Sequence, residues 1–131
     1  MCGIAGLILK TAAVSREMLT PMVDRLSHRG PDGTGYFTRD GFGLAHTRLS
    51  IIDLEGGQQP ILTEDRKMAV VANGEIYNYV ELRDELKRQG CVFGTHSDSE
   101  TILQSYALEP EGFLSRLNGM FAFAVFDGER R

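Results

Sequence analysis

Two short runs of apolar residues, at positions 68–72 and 120–126, most constrain how this chain can fold. Each has the length of a strand, well below the roughly 18 to 20 apolar residues of a membrane-spanning helix. Because residues 68–72 have no polar face, they predict a strand that is buried on both sides. The run at 120–126 predicts a strand leading into Asp127-Gly128, a hairpin-turn pair close to the last residue. We therefore expect chain beyond residue 131 to cover its open edge, so that residues 1–131 are the N-terminal portion of a longer domain.

The other apolar patterns predict helices and short strands, which together indicate an α+β domain. A helix is predicted over residues 15–27, with leucine, valine and methionine on one face and the methionines as core filler. Pro21 lies inside this pattern and either follows an N-cap at Thr20 or kinks the helix. Further strands are predicted at residues 3–9, as a buried strand, at 35–38 and 42–47, joined by a hairpin turn at Asp40-Gly41, and at 91–95.

Two capping-box patterns predict the starts of two further helices. The first pattern is residues 78–81, and its helix is expected to end at Gly90. The second is residues 97–100, which places Asp98 in the first turn, where a carboxylate suits the helix dipole.

Charge and cysteine content exclude several classes of function. The net charge is −4 and the sequence pI is near 5.3, so no basic surface for nucleic acid is expected. The apolar start of the chain lacks the basic segment and cleavage site of an export signal, and no membrane partner is expected. With two cysteines, Cys2 and Cys91, and no zinc-site spacing, we expect a cytoplasmic protein without a disulfide or a bound metal. Cys91 is expected to be a core thiol, and His28 and His46 to make local hydrogen bonds.

Cys2 directly follows the initiator methionine, and removal of Met1 would give it a free α-amine beside its thiol. The amine could then act as the base for the sulfur nucleophile, because the two groups release protons at similar pH. N-terminal nucleophile (Ntn) hydrolases use this logic. The alternative is that Cys2 is a small apolar side chain at the start of a strand, and its position alone does not decide between the two.

Five motifs occur in an order that resembles the N-terminal glutaminase domain of glutamine-hydrolysing asparagine synthetases, which are class II glutamine amidotransferases. They are residues 2–6 (CGIAG), 29–33 (RGPDG), 45–53 (AHTRLSIID), 73–78 (NGEIYN) and 97–100 (SDSE). Each motif is weak alone, whereas all five in this order are specific. The resemblance implies an Ntn-hydrolase fold, an αββα sandwich in which two antiparallel sheets pack face to face between helical layers.

The resemblance also implies a role for each matching residue. Cys2 would attack the carboxamide of glutamine and form a glutamyl thioester, releasing ammonia. The side chain of Asn73 and the N–H of Gly74 would form the oxyanion hole. Arg48 would bind the substrate α-carboxylate, for which its planar fork is suited. The remaining substrate contacts would come from the backbone of Leu49, Ser50, Ile51 and Ile52 and from the carboxylates of Glu75 and Asp98, which would hold the α-ammonium.

From the residues alone, other interpretations of these sites stay open. Asn73-Gly74 is also a common turn pair. Arg48 could be a solvated charge on a strand, and Asp98 could cap a helix. The loop at 29–33 is interpreted as a shaping turn.

For the whole protein, the resemblance implies ATP-dependent amidation of aspartate to asparagine with ammonia taken from L-glutamine. The glutaminase domain needs no cofactor, whereas ATP and magnesium are expected in a covalently following synthetase domain that is absent from this sequence. A homodimer is an option. Two alternatives stay open: another class II amidotransferase, such as glucosamine phosphate synthase or phosphoribosylpyrophosphate amidotransferase, and a non-catalytic module that senses glutamine or forms a subunit interface.

Overall fold

The computed structural model describes residues 1–50 and 57–130, which form two three-stranded antiparallel sheets, three α-helices and a short 3-10 helix. In chain order the elements are β1 (Gly3–Ile8), α1 (Arg16–Leu26), β2 (Gly33–Arg39), β3 (Phe42–Arg48), β4 (Ile61–Leu62), β5 (Met68–Ile76), α2 (Tyr79–Arg88), α3 (Glu100–Leu108), the 3-10 helix (Phe113–Arg116) and β6 (Gly119–Asp127). The strand order is β1-β3-β2 in the first sheet and β4-β5-β6 in the second.

The first sheet is built around a tight hairpin. Strands β2 and β3 pair up to Arg39 and Phe42, which leaves Asp40-Gly41 as a two-residue turn. Asp40 has a φ of 51°, a left-handed conformation that such turns require and aspartate tolerates. The predicted hairpin is therefore confirmed. The prediction that the first strand is buried is wrong, because Ile8 stays 69% exposed and β1 lies at the edge of its sheet within the described residues.

Helix α1 covers the outer face of the first sheet. Leu19 and Val23 are buried against β1 and β3. The helix begins at Arg16 and passes through Pro21, which excludes the alternative start after an N-cap at Thr20. Its two methionines are 46% and 37% exposed, because only a narrow stripe of the helix faces the sheet. They are therefore not core filler.

Strand β5 runs through the middle of the second sheet. Residues 69–72 are at most 3% exposed, which confirms the predicted strand buried on both sides. The predicted strand ended at residue 72, but β5 continues to Ile76 because residues 73–75 pair with β6. The strand predicted at 120–126 is confirmed as β6, which lies at the edge of this sheet in the described part of the chain.

Three apolar layers join these elements. The first lies between α1 and the first sheet and contains Val14, Leu19, Val23 and Ala45. The second lies between the two sheets and contains Phe37, Leu44, Ala69, Val71 and Phe126. The third packs α3 on the second sheet through Ile61, Val70, Ala72, Ile76, Ile102, Leu103 and Phe113. Full burial of one such large side chain contributes about 1.5–3 kcal/mol. The order helix, sheet, sheet, helix confirms the predicted αββα sandwich of the α+β class.

Helix α2 ends as predicted but does not begin with a capping box. Asn78 occupies the N-cap without a side-chain capping bond. Its side chain instead accepts the N–H of Asn118 and donates to the carbonyl of Arg116, both at 2.9 Å, and so fixes the approach to β6. The helix ends at Arg88, just before Gly90, whose φ of 92° suits a glycine after a helix end.

The segment at 91–95, predicted as a strand, is an irregular loop held by side chains. The carboxylate of Glu100 accepts the N–H groups of Gly94 and Thr95, each at 2.8 Å. These bonds replace a sheet partner for the loop. They also occupy the Glu100 carboxylate, so the capping box predicted at 97–100 does not form. Asp98 lies before α3, so its predicted place in the first turn is wrong.

The helices are short. The longest, α1, has 11 residues, and none within residues 1–50 and 57–130 is long and apolar enough to cross a membrane.

Candidate active site

Strand alternation brings polar residues from both sheets to one end of the layer between them. On β3, Leu44 faces the second sheet, so His46 and Arg48 share that face. On β5, Val71 faces the first sheet, so Asn73, two positions further, faces it too. The apolar layer between the sheets therefore ends in a polar region.

A cavity of about 360 Å³ opens at this polar end, a size typical of small-molecule sites. Ser50 is not among its lining residues, and its N–H donates to the carboxylate of Asp32 at 2.7 Å. Ile51 and Ile52 lie outside the residues that the structure describes. The other predicted site residues all line the cavity: Cys2, Arg48, Leu49, Asn73, Gly74, Glu75 and Asp98.

Cys2 is fixed through both its main chain and its sulfur. The pairing of Gly3 with Thr47 places Cys2 beside the end of β3. The N–H of Leu49 donates to the sulfur at 3.3 Å, and the Cys2 carbonyl accepts Nε of Arg29 at 3.0 Å. The side chain is half-buried and its thiol is free. An N–H directed at the sulfur is a favourable partner for a thiolate.

Met1 lines the same cavity and is 70% exposed. While Met1 is attached, the nitrogen of Cys2 belongs to an amide and cannot act as a base. Its removal would place a free amine next to the sulfur, at the cavity wall. The chemistry predicted for Cys2 therefore depends on this processing step.

The loop at 29–33 also fixes Arg48. The N–H of Asp32 donates to the Arg48 carbonyl at 2.9 Å. Gly30 packs on the backbone between Thr47 and Arg48, where a Cβ would overlap the Thr47 carbonyl. The loop is thus a shaping turn, as interpreted from the sequence. The contact of this loop with Cys2, through Arg29, was not predicted.

One edge of β5 is paired by side chains rather than by a strand. Strand β4 has only two residues and pairs with β5 no further than Val70. Beyond that point, the N–H of Ala72 donates to the side-chain oxygen of Gln59 at 2.6 Å. The carbonyl of Ala72 lies 3.2 Å from Nε2 of His46. Both polar groups of this residue are therefore satisfied by side chains.

The N–H and C=O of Gly74 face the same edge of β5 as those of Ala72, because backbone groups alternate sides along a strand and Ala72 is two positions before Gly74. The next N–H on this edge, that of Ile76, donates to the Asp98 carboxylate at 2.8 Å. The alternation therefore directs the N–H of Gly74 toward the cavity. It lies between the N–H groups of Ala72 and Ile76, which both have side-chain partners. A Cβ at this residue would overlap the Met120 carbonyl, so only glycine allows the close approach to β6.

Arg48 and two carboxylates give the cavity both signs of charge. Arg48 and Asp98 are each 5% exposed, whereas Glu75 is exposed. A free amino acid carries one charge of each sign, which this set matches. The alternatives left open by the sequence are corrected here: Arg48 is buried, Asp98 holds a strand edge and does not cap α3, and Asn73-Gly74 belongs to β5 and is not a turn.

His46 was predicted to make a local hydrogen bond, and this prediction is wrong. Its bond joins the two sheets through Ala72, 26 residues away. The ring is 1% exposed. Burial, and to a smaller extent the charge of Arg48, lower the pKa of His46 to about 4, against the opposing effect of the bond to Ala72. Near neutral pH the ring is therefore uncharged, and its Nε2–H donates to the Ala72 carbonyl. Nδ1 has no hydrogen-bond partner among the described residues.

Several cavity-lining residues were not predicted. Ser97 and Ser99 flank Asp98 inside a recognised motif, which was the signal available for them. Residues 120–122 of β6 line the wall because they pair with 73–75, and only the strand register could have indicated them. Gln59 lies in a loop rich in glycine and glutamine and had no local signal.

Within the described ranges, no group of three or more His, Cys, Asp and Glu could hold a metal ion. Cys91, expected to be a core thiol, is half-buried and free, and burial raises the pKa of its thiol.

The comparisons with known proteins agree with this geometry. Residues 1–131 match the family model described as a glutamine amidotransferase domain. The chain is 44% identical over 131 residues to glutamine-hydrolyzing asparagine synthetase 1 of Bacillus subtilis, covering 97% of this chain and 21% of that protein. It is 42% identical over 132 residues to glutamine-hydrolyzing asparagine synthetase B of Escherichia coli, covering 99% of this chain and 24% of that protein. The chain thus spans about a fifth to a quarter of the length of these relatives.

Among solved structures, the chain resembles glutamine phosphoribosylpyrophosphate amidotransferase from B. subtilis, with a TM-score of 0.74 and 19% sequence identity. The match covers 98% of this chain and 35% of that chain. At this identity the likeness concerns the fold, and it agrees with the Ntn-hydrolase sandwich.

Proposed function

Because this chain belongs to the glutamine amidotransferase family, we propose that it hydrolyses L-glutamine to glutamate and ammonia. The observation that carries the proposal is the cavity lined together by Cys2, Asn73, Gly74 and Arg48. These groups are a nucleophile, two oxyanion donors and a carboxylate anchor. Acyl transfer from a free amino acid requires these parts in one place.

Substrate recognition would use the charged side chains that line the cavity. The Arg48 guanidinium would bind the α-carboxylate through two parallel hydrogen bonds, and Glu75 and Asp98 would bind the α-ammonium. The backbone of Leu49, which lines the cavity, would add a further contact. The side-chain amide would then point along the cavity toward the sulfur and the edge of β5.

The reaction begins when the free amine of Cys2 takes the thiol proton and the sulfur attacks the carboxamide carbon. The oxyanion that forms would be held by the Asn73 side chain and the N–H of Gly74. The protonated amine returns its proton to the leaving nitrogen as the C–N bond breaks, so ammonia leaves and a glutamyl thioester remains. Water, deprotonated by the same amine, then attacks the thioester, releases glutamate and restores the thiol.

For the whole protein, we propose that this ammonia is used in the ATP-dependent amidation of aspartate to asparagine. The support is the 38–44% identity to glutamine-hydrolyzing asparagine synthetases over almost the whole of this chain. Residues 1–131 would be the N-terminal portion of the glutaminase domain. ATP and magnesium would act in a synthetase domain outside this matched region, and the glutaminase step itself would use no cofactor. A homodimer is part of this proposal, and the two free thiols support a cytoplasmic location.

The test is ammonia release from glutamine by the wild-type protein and by Cys2→Ala and Cys2→Ser. Both variants should lose glutamine hydrolysis, while asparagine formation from free ammonia continues, because the two reactions would use separate sites. The intact mass of the wild-type protein shows whether Met1 has been removed. Hydrolysis by Cys2→Ala at the wild-type rate would refute the nucleophile. A processed wild-type protein that binds glutamine without releasing ammonia would favour the sensing module instead.

A further inference from the structure

The backbone of Ala72, the residue before Asn73, is held at both of its polar atoms. Gln59 accepts its N–H at 2.6 Å, and His46 lies 3.2 Å from its carbonyl. The two side chains are 8% and 1% exposed, so water competes little for these bonds. The Ala72 carbonyl and the N–H of Asn73 belong to one rigid peptide plane. Holding the carbonyl therefore also holds the start of the Asn73-Gly74 segment.

The two side chains tie Ala72 to the first sheet. His46 belongs to β3, so its hydrogen bond crosses the layer between the sheets. The backbone of Gln59 packs against β2, where a Cβ at Gly35 would overlap the Gln59 carbonyl. The first sheet also carries the nucleophile before β1 and the arginine at the end of β3. The contacts of Ala72 thus connect the part of the site on β5 with the part on the first sheet.

We propose that His46 and Gln59 are positioning residues that hold the oxyanion donors of Asn73 and Gly74 in place against the Cys2 sulfur. This inference rests on the glutaminase function proposed above. The donors stabilise charge that develops only in the transition state, so their placement acts on kcat more than on substrate binding. A misplacement of about 1 Å in an active site can lower the rate on the order of 10²-fold. The low pKa of His46 keeps Nε2 a neutral donor at working pH.

The test compares three substitutions at His46 in the otherwise unaltered protein. His46→Gln keeps an N–H donor near the position of Nε2, His46→Asn moves the amide back toward the main chain, and His46→Leu removes the donor. We expect His46→Leu and His46→Asn to lower kcat for glutamine hydrolysis about 10- to 100-fold, with little change in KM. His46→Gln should restore most of the rate. Gln59→Leu should lower kcat in the same way.

Phe37→Leu is the matched control, because Phe37 lies in the same layer between the sheets but does not line the cavity. It should lower stability and leave kcat per folded molecule unchanged. Circular dichroism would measure the folded fraction of every variant. If His46→Leu does not fold, the comparison of the Gln and Asn variants decides.

Three results would overturn the proposal: an unchanged kcat in a folded Leu variant at either position, equal losses of kcat in His46→Gln and His46→Asn, or a rise in KM without a fall in kcat. Failure of the proposed function is a separate result. It would be seen as no ammonia release by the wild-type protein, or as full activity in Cys2→Ala.

Discussion

Acid should destabilise the folded protein through His46 before most carboxylates are protonated. The folded pKa of about 4 lies below the ordinary value of 6.5, because burial opposes the charged ring. Between these two pH values the unfolded chain binds a proton that the folded chain does not. The free energy of unfolding therefore falls as the pH falls through this window. Above pH 6.5 both states hold a neutral ring, and the effect disappears.

The size of the effect follows from the difference between the two pKa values. Each tenfold change in proton affinity is worth about 1.4 kcal/mol, so the full loss at pH 4 is roughly 3 kcal/mol. Roughly 1 kcal/mol should already be lost at about pH 5.5. Domains of this kind have total stabilities of about 5–15 kcal/mol, so the loss is large enough to measure.

Urea unfolding followed by circular dichroism at about pH 7.5, 5.5 and 4.5 would measure this loss. His46→Gln cannot bind the proton. The difference in free energy of unfolding, wild type minus this variant, should therefore fall by roughly 1 kcal/mol at about pH 5.5 and by more at about pH 4.5. Carboxylates titrate in both proteins and cancel in the difference. His28→Gln, the same change at an exposed histidine, is the control and should follow the wild-type curve. A wild-type minus His46→Gln difference that stays constant across this range would refute the reasoning.

Two further predictions concern the substrate site. Asn73→Ala should lower kcat of glutamine hydrolysis about 10²- to 10³-fold, the usual cost of one oxyanion donor, and steady-state ammonia release would measure it; a change in KM alone would make Asn73 a binding residue. Arg48→Lys keeps the charge but loses the planar fork, so it should weaken glutamine binding to the Cys2→Ala protein, and equal affinities by calorimetry would contradict the proposed role of Arg48.

Local sequence patterns predicted the elements whose structure depends on nearby residues. The Asp40-Gly41 turn and the strand at 68–72 follow from turn chemistry and from the absence of a polar face. The motifs shared with a family predicted which residues would meet in the cavity, because a family motif summarises contacts that are distant in sequence. Their catalytic and binding roles stay predictions.

Contacts between distant residues explain the features that were missed. Asn73-Gly74 has the composition of a turn, but pairing with residues 121 and 122 of β6 keeps it extended. Asn78 and Glu100 have the spacing of capping residues, yet both side chains bind backbone groups outside their own helices. Nothing near His46 in sequence indicates that its partner lies in the other sheet.

The shortness of β4 sets a limit on which changes the loop before it can accept. If the register of β4 continued backward, Gln59 would stand opposite Ala72 and Gly57 opposite Gly74. β4 begins only at Ile61, so residues 57–60 do not continue this pairing. A longer β4 would use the N–H of Gly74 as an ordinary sheet hydrogen bond, and this N–H could then no longer serve as the proposed oxyanion donor. We therefore expect substitutions that raise strand propensity at 57–60 to stabilise the fold and to lower glutamine hydrolysis, because the longer strand would occupy a backbone donor that the proposed mechanism needs.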